Sequence, residues 1–197
     1  MMNSDKELIA RTQAGDLSAF ECLFHKYKNQ IYRTALGITG DHGMAEEILQ
    51  DCFLKAYSHI NHLHGDYSLL PWLYRITVNL SYDYLRKHKW RSWLAPLENF
   101  ANYLTNSEDP VVTSPETRLE REELQSIVRA GIAELNVKYR VVIVLHYLQG
   151  FSLEEIAYIL DCPVGTVKSR LYYARKALKH RFEKNQRLVG EVIYEPA

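Results

Sequence analysis

Cysteine is scarce in this chain, and what there is comes unpaired. Cys22, Cys52 and Cys162 make an odd number with no CxxC spacing. That argues against a disulfide framework and suits a reducing compartment. No apolar run approaches membrane-spanning length, which speaks against direct membrane insertion. Nothing resembles a signal peptide, so the expectation is a cytoplasmic protein. No glycine-rich phosphate loop and no HExxH helix occur, so neither a nucleotide cofactor nor zinc hydrolase chemistry has a motif to rest on. No internal repeat is visible. Net charge is lacking too: the formal value is zero, which on its face argues against a polyanionic partner.

The distribution of that charge reverses the argument. From Pro163 to Arg187 there are eight Lys/Arg residues against one acid, Glu183. From Glu98 to Glu123 there are seven acids against two basic residues. A chain so divided can bind nucleic acid at one end while its acidic stretch limits adhesion elsewhere. The same acidic stretch is placed to pack against the basic helix and mask it. Charge aside, the 197 residues and the 47% hydrophobic content allow one large or two small domains with true cores.

The most informative stretch is Phe151 to Leu178. Gly150 can end the element before it. Ser152 stands three residues ahead of Glu155, the spacing at which hydroxyl and carboxylate satisfy each other's backbone N–H groups. Leu153, Ile156, Ala157 and Leu160 then recur on one helical face. Asp161-Cys162-Pro163 stops that helix, because residues before proline are pushed out of the α region. A second helix follows from about Val164 to Leu178, with Val167, Leu171, Ala174 and Leu178 inward. Its other face carries Thr166, Lys168, Ser169, Arg170, Tyr172, Tyr173, Arg175 and Lys176. Donors, cations and flat rings on a helix entered by a tight turn fit a DNA major groove. An ordinary solvated basic face is the bland alternative, but the capped helix, turn and basic helix together are more specific.

The rest reads as helices. Ser4 to Glu7 opens a short one over Asp5 to Ala14. A second spans Leu17 to Ile38, and Thr39 to Gly43 form a loop. A third covers Met44 to Ile60, with Ala45, Ile48, Leu49, Cys52, Phe53, Ala56, Tyr57 and Ile60 inward. Opposite them Glu47, Gln50 and Asp51 stand at i, i+3 and i+4, one polar patch suited to a partner helix. His59, His62 and His64 lie in a loop without a supporting cysteine or carboxylate motif, so incidental histidines are favoured over a metal. A fourth helix runs from Leu69 to Trp90, Pro71 being tolerated in its first turn. Leu73, Ile76, Leu80 and Tyr84 face inward, and Trp72 and Tyr84 are read as core. Arg75, Asn79, Tyr82, Asp83 and Arg86 recur on another face. Seven aromatics and five Lys/Arg residues fall between Tyr67 and Trp93, a mixture that suits single-stranded nucleic acid. Ala95 to Pro115 loses periodicity and reads as a linker. Further helices cover Glu116 to Leu135 and Val137 to Leu148, and Asn185 to Ala197 is a weakly patterned tail.

Three stretches together resemble a known family: AEEILQDCFLKAY at Ala45 to Tyr57, PWLYRITVNLSYDYLRK at Pro71 to Lys87, and the run from Tyr139 to Leu178. The chain resembles group 4 (extracytoplasmic function, ECF) sigma factors of bacterial RNA polymerase, in the sigma-70 superfamily. That resemblance implies an all-α protein of two small helical domains joined by a flexible linker. Sigma region 2 would be residues 1–94, the linker 95–115, region 4 with the helix-turn-helix 116–182, and a tail 183–197. It implies a transcription initiation factor with no catalytic residue, no cofactor and no metal. Its partners would be core RNA polymerase (the β′ clamp helices and β flap), promoter DNA, and an anti-sigma factor that can itself be membrane-bound. By position, Glu47, Gln50 and Asp51 match polymerase contacts. Arg75, Asn79, Tyr82, Asp83, Arg86 and Lys87 match the −10 element, and residues 61–68 the loop that captures a flipped base. Thr166, Lys168, Ser169, Arg170, Tyr172, Tyr173 and Arg175 match the −35 reading helix. Members commonly carry a basic residue where this chain has Tyr173, which lacks arginine's bidentate reach to guanine. Two other classes remain at this point. One is a stand-alone helix-turn-helix repressor or activator, which would not need the aromatic stretch before residue 93. The other is a metal enzyme built on the histidine loop.

Overall fold

The structure is a computed structural model, and it describes residues 4–63, 69–88, 127–128 and 130–184, with the side chains of His88 and Lys184 excepted. The expected linker, the part of the expected Glu116–Leu135 helix before residue 127 and the C-terminal tail lie outside those residues, as do residues 64–68, His64 among them, of the loop expected to capture a flipped base. Among the described residues there is no strand, and the elements form two helical bundles.

The first bundle has four helices: α1 (Asp5–Gln13), α2 (Leu17–Thr39), α3 (His42–His59) and α4 (Leu69–His88), with a 3-10 turn at Ile60–His62. Local chemistry sets each start. Ser4 caps α1 by accepting from the Glu7 N–H. The Asp16 carboxylate accepts from the N–H groups of Ser18 and Ala19 to open α2. The Ser18 hydroxyl and the Arg11 guanidinium, 2.7 Å away, hold that carboxyl down at about 2. Gly40, at φ 73°, ends α2 in the left-handed conformation that glycine adopts without strain. Helix α3 begins two residues before the expected Met44, because Asp41 reaches the Met44 N–H at 2.7 Å and caps a longer turn.

Leu23, Ile31 and Ile38 of α2, Ile48 of α3, and Leu73 and Val78 of α4 fill the core. Cys52 is buried there, with its Sγ 3.6 Å from the Leu73 carbonyl and 3.4 Å from the Thr77 hydroxyl. Burial pushes its thiol up to about 12, so it stays protonated and inert. Tyr57, expected inward, is 41% exposed. It lies at the rim of the bundle with its ring 5.0 Å from Phe20.

The second bundle holds the end of a helix at residues 130–133, then α5 (Val137–Ile143), α6 (Leu153–Leu160) and α7 (Val164–Lys184). The expected single helix from Val137 to Leu148 is instead α5 followed by a π-helical turn at Val144–Leu148. The wider turn falls where α5 meets α2. A Cβ on Gly37 would stand 3.2 Å from Val144 Cγ2, so a larger residue there would make Val144 give way by a few tenths of an ångström. Helix α6 shows both halves of the expected capping box: Glu155 N–H to Ser152 Oγ at 3.2 Å and Ser152 N–H to Glu155 Oε2 at 2.9 Å. It ends on Asp161 at φ 50°, a left-handed position that aspartate tolerates. Helix α7 runs six residues past the expected Leu178.

The two bundles touch. Tyr74 of α4 is 1% exposed, donates to Gln149 Oε1 at 2.7 Å and meets the edge of Phe151 with ring centres 4.6 Å apart. Arg75 pairs with Asp161 at 2.8 Å. Arg140 of α5 donates to the Ile38 carbonyl at the end of α2 (2.7 Å), and to the Ala133 and Leu135 carbonyls of its own bundle. Its Nε is buried with no partner among the described residues.

Candidate functional site

Helix α7 sets its basic and aromatic groups by burying Val167, Leu171 and Ala174. That leaves Lys168, Ser169, Tyr172, Tyr173 and Arg175 exposed, with Thr166 and Arg170 half-buried. The Ser169 hydroxyl already donates to the Thr166 carbonyl at 2.9 Å, so toward an outside group it is an acceptor. Tyr172 and Tyr173 meet edge to face, with ring centres 5.4 Å apart. Tyr173 also lies 6.3 Å from Tyr139 at the start of α5, and Lys138 sits 4.9 Å over that ring. An aromatic ledge therefore continues the exposed face of α7 onto a second helix. Tyr139 was not singled out in the sequence, where nothing in its spacing connects it to Tyr173.

The six candidates on α4 do not share one free surface. Asn79, Arg86 and Lys87 are exposed. Asp83 is half-buried and pairs with Arg86 at 2.9 Å. Arg75 is turned toward the second bundle by its pair with Asp161. Tyr82 is half-buried, and burial pushes its phenol up while the nearby Arg170 charge opposes that shift. Arg75 and Tyr82 of α4 thus lie beside Asp161 and Arg170 of the helix-turn-helix. The structure brings together residues that the sequence assigned to two separate surfaces. The acidic stretch expected to mask the basic helix, residues 98–123, lies outside the described residues.

On α3, Glu47 and Gln50 are exposed, whereas Asp51, expected on the same exposed patch, is half-buried. Leu54, the next residue on that stripe, is 68% exposed. The sequence reading passed over it, although an apolar residue breaking into a polar stripe was a visible signal. Tyr84, read as core, is half-buried and donates its hydroxyl to Asp51 Oδ2 at 2.9 Å. Burial first, then Asp51 and the charge of Glu47, push its phenol up to about 12.

The His59 and His62 rings are 5.9 Å apart. Among the described residues no three His, Cys, Asp or Glu side chains stand together in a group able to hold a metal ion. Nor is any helix among them long and apolar enough to cross a membrane.

Known proteins resemble the chain along most of its length. The family described as Sigma-70 region 2 matches residues 23–91, and that described as Sigma-70, region 4 matches residues 125–178. The ECF RNA polymerase sigma-E factor of Escherichia coli (strain K12) is 34% identical over 182 residues, covering 91% of this chain and 95% of that protein. The RNA polymerase sigma-H factor of Pseudomonas aeruginosa is 32% identical over 176 residues, 88% and 91% of the two chains. Among solved structures, CnrH in complex with the cytosolic domain of CnrY superposes with a TM-score of 0.65 at 23% identity, over 93% of this chain and 99% of that one. The sigma factor RpoE of Bartonella quintana, in complex with the anti-sigma factor NepR, superposes with a TM-score of 0.62 at 23% identity, over 83% and 96%. At that identity the two structures establish the shared fold.

Proposed function

The chain belongs to the ECF sigma factors of the sigma-70 family, and from that premise we propose how its surfaces divide the work of promoter-directed transcription initiation. The protein is a regulatory initiation factor that binds core RNA polymerase and promoter DNA; the polymerase makes the RNA. Helix α7 reads the −35 element through Thr166, Lys168, Ser169, Arg170, Tyr172, Tyr173 and Arg175. Helix α4 engages the −10 element through Arg75, Asn79, Tyr82, Asp83, Arg86 and Lys87, and holds the opened strand by stacking and phosphate contacts. Glu47, Gln50 and Asp51 on α3 dock the polymerase. In this reading the first unit is residues 1–94, the linker 95–115, the second unit 116–182 and the tail 183–197; the family matches at 23–91 and 125–178 fall within the two units.

One observation carries this reading. Three sets of residues, a polar stripe on α3, a set on α4 of which Asn79, Arg86 and Lys87 are exposed, and a basic, tyrosine-rich face on α7, follow one another along one short chain in the order of the two matched family regions. A stand-alone repressor is not favoured, because it needs only the last of these. The contact of Arg75 with Asp161 supports a further part of the proposal: in the free chain, the second bundle covers part of the −10 face, and polymerase binding opens it. A partner that stabilises the covered state fits the same contact, and we assign that role to an anti-sigma factor, the kind of partner named for the B. quintana protein. Action with the polymerase places the protein in the cytoplasm. Run-off transcription by purified core polymerase, with and without this chain, tests the whole assignment. Promoter-specific transcripts should appear only with the chain, and equal transcription without it would overturn the assignment.

A further inference from the structure

One carboxylate of the stripe proposed for docking, that of Asp51, is held from behind by another helix. The Tyr84 hydroxyl of α4 donates to Asp51 Oδ2 at 2.9 Å across the α3–α4 contact. Glu47, one turn earlier on α3, stands near enough for its carboxylate to act on the same phenol. The chemistry of this holder matters. A lysine or arginine there would neutralise Asp51 and compete with any incoming cation. A phenol is a neutral donor, so it fixes the carboxylate while leaving its charge and its other lone pairs for a partner. Because the phenol keeps its proton up to about pH 12, it remains a donor throughout the physiological range.

Resting on the docking role given above to Glu47, Gln50 and Asp51, we propose that Tyr84 is a positioning residue for polymerase docking, its hydroxyl fixing the Asp51 carboxylate in the orientation that receives a cationic group of the polymerase. A carboxylate already held in one rotamer loses less conformational freedom when its partner arrives. Without the hydroxyl, Asp51 samples other rotamers and the same docking contact forms less tightly.

The test uses the full-length chain and purified bacterial core polymerase, with affinity read by fluorescence anisotropy of the labelled chain. Tyr84→Phe keeps the packed ring and removes only the hydroxyl. It should weaken core binding by about two- to tenfold, the range of one hydrogen bond, with helical content unchanged. Asp51→Asn should weaken binding on its own, and adding Tyr84→Phe to it should cost little more, because the hydroxyl then has no docking carboxylate to hold. A merely structural role for Tyr84 predicts a different pattern: a binding loss that adds in full to that of Asp51→Asn. Glu47→Arg combined with Asp51→Arg is the reference arm. If that pair abolishes binding while Tyr84→Phe binds like the parent chain, the positioning role is wrong and the docking stripe stands. Parental binding by the charge-reversed pair would remove the stripe itself, and the role of Tyr84 with it.

Discussion

If the second bundle covers the −10 face, weakening that contact should tighten binding of a −10 single strand by a calculable factor. Gln149→Ala removes the acceptor of the Tyr74 hydroxyl, a 2.7 Å bond from a side chain 1% exposed. A bond of that kind contributes about 1 kcal/mol. Asp161→Asn removes the ion pair with Arg75, where the Asp161 side chain is 79% exposed, so it contributes only about 0.5 kcal/mol. Asparagine also accepts the left-handed backbone at that position. Neither residue is on α4. When binding requires a minor open state, the apparent dissociation constant scales inversely with the open fraction. The double variant, losing about 1.5 kcal/mol of closure, should therefore bind a −10 non-template oligonucleotide about tenfold tighter. Anisotropy with a labelled oligonucleotide at fixed salt reads this directly, with far-UV circular dichroism as the check on folding. Gln149→Ala is the decisive arm, because it changes no charge. If only Asp161→Asn tightens binding, and a steeper salt dependence accounts for the gain, the effect is simple electrostatics. If neither variant binds more tightly than the parent, the contact does not mask α4 and the reasoning fails.

On α7, Lys168→Ala should weaken run-off transcription similarly across a library of −35 elements and make the salt slope shallower by about one, as loss of a phosphate contact does. Tyr173→Arg should instead reorder the library toward guanine, a bidentate contact giving about 1–3 kcal/mol of discrimination; uniform scaling by Tyr173→Arg would show the two roles reversed. Ser152→Ala breaks the capping box of α6 and should lower stability by about 1 kcal/mol, with faster hydrogen exchange confined at first to α6. Cys52 and Tyr74 are both pushed up to about 12 by burial. The folded state therefore holds these protons more tightly than the unfolded one, and the stabilisation is complete below about pH 9 for Cys52 and about pH 10 for Tyr74. It is lost as pH rises toward 12, so urea unfolding should show a decline that starts near pH 9, and Cys52→Ser should delay it.

Features fixed by neighbours in the chain were legible in the sequence. The Ser152–Glu155 box, the stop at Asp161 to Pro163, the buried Val167, Leu171 and Ala174, and the stripe at Glu47, Gln50 and Asp51 are all set by spacing within one helix, and spacing is what a sequence displays. What escaped notice depends on groups far apart in the chain. Tyr84 looked like core because its ring is apolar; its hydroxyl acquires a purpose only when α4 brings it to Asp51, 33 positions earlier. Arg75 was assigned to the −10 face from its helical spacing, but the Asp161 it pairs with is 86 positions away. The π-helical turn has no signature in the run Val141 to Leu148, which carries the apolar pattern of an ordinary helix. Its trace lies at Gly37, on another helix, where the missing Cβ admits Val144.

Arg140 has a consequence for recombination. Its guanidinium is a half-buried cation that, among the described residues, donates to main-chain carbonyls, one belonging to α2 and two to its own bundle. Carbonyls near helix ends carry partial negative charge, so the arginine is held by backbone geometry rather than by any side chain a partner sequence must supply. A hybrid assembled from the first half of one relative and the second half of another would keep this attachment wherever α2 ends at the same place. It would lose it if the donor ended α2 one turn sooner, leaving a half-buried charge short of one acceptor. The position at which α2 stops, more than the identity of the residues facing it, then decides which halves can be exchanged.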